Sequence, residues 1–83
     1  MISNNYQYKY FGTCPLDNET IEFSLSIETD KTIIVEHIVV GVKTICNELH
    51  EHQADKLLEM FGGKQYLTAV HQGVRITTTR EKA

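Results

Sequence analysis

Polar and apolar residues alternate without a break over residues 20–28. Ile21, Phe23, Leu25 and Ile27 fall on one side, and Glu22, Ser24, Ser26 and Glu28 on the other. This period of two predicts a half-buried β-strand. Its register is well specified, because a slip of one residue would put all four apolar side chains in water. Residues 6–11 alternate aromatic and polar side chains up to Phe11 and predict a strand before it, with Tyr6, Tyr8 and Tyr10 forming a packed aromatic face. Gly12, Thr13, Cys14, Pro15, Leu16, Asp17 and Asn18 between them predict a turn or loop. Near the other end, residues 65–70 and 74–79 predict two further strands joined at Gln72-Gly73, a hairpin-turn pair.

The middle of the chain carries two opposed signals. Residues 33–45 are rich in Ile and Val, which favours a strand by propensity. Their spacing favours a helix. His37, Gly41, Thr44, Glu48, His52, Asp55 and Glu59 recur every three or four residues as a polar stripe, with Val35, Ile38, Val42, Ile45 and Leu49 opposite. The period takes precedence, since packing of an apolar face usually decides whether a helix forms. Residues 51–61 continue the helical pattern, with Ala54, Leu57, Leu58 and Phe61 on one face. Gln53 interrupts the apolar stripe running through Leu49, so a break over residues 47–50 would give two helices in place of one. Gly62-Gly63 ends the helical region, because glycine enters the left-handed cap conformation freely.

These elements predict an α+β fold in ββ-α(α)-ββ order. A four-stranded antiparallel sheet carries one or two helices on one face, and its open face is polar and rich in Ser and Thr. Residues 1–83 are read as a single small domain, with 80–83 as a polar, frayed tail.

Composition narrows the function classes. The hydrophobic fraction of 41% and charged fraction of 23% are those of a globular chain. A net charge of −3, with the basic residues scattered, argues against nucleic acid as a partner. No apolar run is long enough to span a membrane, and the first residues lack the basic and apolar regions of a signal peptide. A cytoplasmic location is expected, with Cys14 and Cys46 as free thiols.

No catalytic constellation stands out. Cys14 precedes Pro15 in a loop and would need a base such as His71 to act as a nucleophile. Cys14, His71 and Glu36 are the candidate ligand-binding residues. Cys46 and His50, spaced i, i+4, would share a helix face as weak metal-ligand candidates, but the short regular spacings of a structural zinc site are missing. Glu48, His50, Glu51 and His52 read as a solvated helix face. Gly62-Gly63-Lys64 lacks the spacing of a phosphate-binding loop. No cofactor is expected.

The order of strands 20–28 and 74–79 around the helical middle resembles the core of the tunnelling fold of pterin- and purine-binding enzymes. That resemblance implies a heterocycle anchored by an acidic residue, with a Cys/His set able to hold zinc; neither maps onto particular residues here. The leading expectation is a non-enzymatic binding or interaction module that self-associates, since a thin core and open sheet edges favour a homodimer. A heterocycle-binding or enzymatic subunit is the alternative, and a nucleic-acid-associated regulator is a third class.

Overall fold

The computed structural model describes residues 3–82. The elements run β1 (Asn4–Thr13), β2 (Thr20–Thr29), α1 (Val35–Ile45), α2 (His50–Phe61), β3 (Gly63–His71) and β4 (Val74–Lys82). The four strands form one antiparallel sheet in the order β1-β2-β3-β4. The α+β fold in ββ-α-α-ββ order is therefore as the hydrophobic pattern predicts.

Ile21, Phe23, Leu25 and Ile27 are all buried, as the period of two requires. They meet Leu67 and Ala69 of β3 and a helix layer led by Ile38, Val42, Ile45, Ala54 and Leu57. Tyr6, Tyr8 and Tyr10 turn to the same side. Tyr10 is buried, and its ring stacks on Phe23 at 5.2 Å between centroids. The opposite face of the sheet is polar, and Gln7, Lys9, Ser24, Ser26, Tyr66 and Thr68 line a shallow trough on it.

Residues 33–45 resolve in favour of the period. Residues 32–34 lie outside any helix or strand, with Ile34 extended, and the helix starts at Val35. Val35 itself is exposed, so the apolar stripe of α1 buries only Ile38, Val42 and Ile45. The helical region is two helices, broken over residues 46–49. Gln53, which interrupts the apolar stripe in sequence, is fully buried. Its amide nitrogen donates to the carbonyls of Cys46 (3.2 Å) and Glu48 (2.7 Å), and its oxygen accepts from the Tyr10 hydroxyl (2.7 Å). The break between helices is thus held by a side chain in the core, where buried polar groups must be bonded. Burial also pushes the Tyr10 phenol far above its usual range, so it remains a neutral donor to Gln53.

Two glycines fix close approaches. The Cys46 carbonyl packs directly on Gly12, where a Cβ would stand. Gly12 is a strand residue rather than the first residue of the loop, and it lets α1 end against β1. Gly62 and Gly63 both have positive φ, and the Gly62 N–H caps α2 on the Leu58 carbonyl at 2.8 Å. The Gln72-Gly73 turn also has positive φ at both residues, as a two-residue hairpin of this type needs.

Residues 80–82 depart from the frayed tail expected of them. They extend β4, pairing with Gly63, Lys64 and Gln65. Two ion pairs to α2 accompany this backbone pairing. Arg80 Nε meets Asp55 Oδ1 at 2.7 Å and Lys82 Nζ meets Glu59 Oε2 at 3.1 Å, so alternate residues of the strand bond to carboxylates four residues apart on the helix. Ala83 lies outside the described residues. No helix among the described residues is long and apolar enough to cross a membrane.

Candidate functional site

The β1–β2 loop, the β3–β4 hairpin and the start of α2 meet at one end of the sheet. The loop is closed by two backbone hydrogen bonds, Cys14 N–H to the Glu19 carbonyl and Asn18 N–H to the Cys14 carbonyl, both 2.9 Å. Asn18 has a φ of 63°, a conformation that Asn tolerates better than most residues. The Asp17 side chain folds back to accept the Glu19 N–H at 3.0 Å.

Asp17 is the hub of this end. Its Oδ2 lies 2.9 Å from His71 Nε2 and accepts from Gln72 Nε2 at 2.9 Å. Glu19 Oε1 is 3.7 Å from His71 Nε2. The Glu19 N–H, the Gln72 amide, His71 and the Cys14 thiol together hold the Asp17 carboxyl far below the usual carboxylate range. Donor atoms of Cys14, Asp17 and His71 all lie within 4.8 Å of one another. The thiol is buried, the imidazole half-buried and the carboxylate exposed. An activated thiol nucleophile has the imidazole on the sulfur, whereas here His71 Nε2 faces the Asp17 carboxylate.

Beside the cluster lies a cleft of about 210 Å³. Ile21, Phe23, Ala69, Ile76, Leu16 and Leu49 form its apolar walls, and Cys14, Glu48, His50, Glu51 and His71 add polar groups. His50 is the unusual member. It belongs to the solvated face expected from sequence, yet it is buried, because the first turn of α2 leans on β3 and Phe23. His50 Nε2 lies 2.9 Å from the Leu67 carbonyl, which can only accept, so this nitrogen carries the proton. Burial holds the imidazole below the usual histidine range and therefore neutral, leaving Nδ1 as a lone-pair acceptor. Among the described residues, no group bonds that nitrogen.

The fold thus brings Cys14 and His71 together, although 57 positions separate them in sequence. Glu36 stands apart, exposed in the first turn of α1 at the opposite end of the sheet. Cys46 and His50 do not share a helix face. Cys46 caps α1, with its thiol on Asn47 Oδ1 and the Lys43 carbonyl, while His50 begins α2. Asp17, Glu19 and Gln72 were not singled out as site residues by the sequence. The Asp-Asn pair marked a turn, but nothing marked the carboxylate as a partner of residue 71. No family model, curated protein or solved structure matches this chain.

Proposed function

We propose that the domain is a non-enzymatic binding module that seats one apolar, donor-bearing side chain of a partner in the cleft at the Cys14–His71 end. The cleft itself carries this reading. It joins an apolar wall to a buried neutral histidine and a rim holding Glu48 and Glu51. Glu48 is engaged by Lys56 at 2.8 Å, which leaves Glu51 to favour a positively charged or N–H-bearing group. A volume of about 210 Å³ is below the roughly 300 Å³ at which clefts begin to enclose whole cofactors. Size therefore counts against an enclosed bicyclic heterocycle and in favour of a single anchoring group.

Self-association belongs to the same reading. The β1 edge, Asn4–Thr13, is ten residues long, with Lys9 as its one charged side chain and no proline. Natural edges are usually protected better than this, and a second copy would cover it. Free thiols at Cys14 and Cys46 fit the expected cytoplasmic setting.

Protein-observed NMR titrations test the cleft directly. Benzylamine should give saturable shifts at Ala69, His71 and Ile76, with benzoate far weaker and bicyclic pterins without effect at these residues. Equal response to benzylamine and benzoate, or pterin shifts centred on the cleft, would overturn the reading. Sedimentation as a strict monomer at high micromolar concentration would remove the dimer.

A further inference from the structure

Beside the cleft, the geometry points to a divalent transition-metal site formed by Cys14 Sγ, Asp17 and His71, with zinc as the ion it suits best. The inference stands apart from the docking role of the cleft, since the cluster is complete without any partner.

Thiolate, imidazole and carboxylate are the three donor types that zinc takes from proteins. Bonds of about 2.0–2.3 Å in a tetrahedron put the ligand atoms about 3.3–3.6 Å apart. The donors here already lie within 4.8 Å of one another, and His71 Nε2 and Asp17 Oδ2 are 2.9 Å apart. A cation between them needs Asp17 and His71 to separate by a few tenths of an ångström and the thiol to close in. The His71–Asp17 hydrogen bond would be replaced by bonds to the metal, with the thiol proton lost to solvent.

The supporting shell is in place. The Glu19 N–H holds Asp17 Oδ1 at 3.0 Å and the Gln72 amide holds Oδ2 at 2.9 Å. Outer bonds of this kind orient a carboxylate ligand and raise affinity. The loop that carries Cys14 and Asp17 is closed by its own backbone bonds, so both donors sit on a preorganised turn. Three protein ligands leave the fourth position for water or for a donor atom of whatever occupies the cleft, as in open zinc sites. The mixed set also argues against magnesium and calcium, which prefer oxygen throughout.

Cobalt substitution provides the test. The reduced full chain is titrated with Co²⁺ and then with Zn²⁺ in competition. The expected result is one equivalent bound, a thiolate-to-cobalt charge-transfer band, tetrahedral ligand-field bands, and displacement of both by zinc. Cys14→Ser abolishes the charge-transfer band and Cys46→Ser keeps it. His71→Gln and Asp17→Asn, both at the surface, weaken zinc binding by more than about 10-fold, and Gln72→Ala by about 10-fold. Absence of a thiolate band in the unmodified chain, or a band that survives Cys14→Ser, overturns the site. If Cys14→Ser does not fold by circular dichroism, His71→Gln becomes the deciding variant, and unchanged zinc affinity in it refutes the site.

Discussion

Among the described residues, each end of the helix–sheet interface buries one side-chain acceptor without a hydrogen-bond partner: His50 Nδ1 beside the cleft, and Gln65 Oε1 at the Gly62–Gly63 end. Around Gln65 the rest is closed. Its Nε2 donates to the Leu57 carbonyl at 3.0 Å and the Gly62 carbonyl at 2.8 Å, tying the end of α2 to the start of β3. Around His50 the packing opens into the cleft, and Cys14, Asp17 and His71 gather at its side. The glycine end has the larger depression, about 400 Å³, but apart from Phe61 its lining is backbone, short polar side chains and charges of both signs. Volume alone therefore does not mark a site. What separates the two ends is convergence: at one end the buried amide ties α2 to β3, and at the other titratable side chains gather beside an apolar cleft.

Breaking the close approach of α1 to β1 should have the largest effect. Gly12→Ala puts a methyl group onto the Cys46 carbonyl, and backbone on both sides must move. A loss of about 3 kcal/mol or more is expected in urea denaturation. The two buried glutamines then sharpen the contrast. Gln53→Leu strands the Tyr10 hydroxyl and the carbonyls of Cys46 and Glu48, and should cost about 2–4 kcal/mol. Gln65→Leu strands two carbonyls but removes an unbonded oxygen, and should cost less, about 1–2 kcal/mol.

The buried histidine gives the cleft end a pH dependence. Burial lowers the His50 pKa in the folded chain, against smaller opposing effects of the Leu67 carbonyl and Glu51, with Arg80 acting in the same direction as burial. Below about pH 6.5 the unfolded chain binds the proton more readily, so stability falls on acidification from that point and levels off below the folded-state pKa. His50→Leu removes this contribution. Between about pH 7.5 and 5.5 the variant should lose less stability than the parent chain, as read by chemical denaturation at each pH. The smallest effect is expected at the exposed pair Arg80–Asp55. Asp55→Ala should cost under about 0.5 kcal/mol, because surface ion pairs contribute little.

The sheet was legible because burial on one face imposes a period of two on β2, and the helices because burial imposes a longer period on α1. The tertiary exceptions were not legible. Gln53 reads as a defect in an apolar stripe, and only the position of Tyr10 and the break after α1 make it a clasp. His50 reads as one more exposed polar residue, since nothing local reveals that Phe23 and β3 lie over it. Arg80 and Lys82 read as a loose tail, and their partners Asp55 and Glu59 are more than 20 residues away. Cys14 and His71 drew attention by residue type alone. Their meeting with Asp17 depends on how the β1–β2 loop folds over the β3–β4 turn, which no local pattern encodes.

Long-range ¹H–¹⁵N spectra of the four histidine rings, recorded with and without benzylamine, test the contrast most directly. His50 should be fixed as the neutral Nε2–H tautomer near neutral pH. On titration the His50 and His71 signals should move together, while those of His37 and His52 stay in place. A His50 ring that exchanges between tautomers like an exposed one, or benzylamine shifts confined to His37 at the far end, would contradict it.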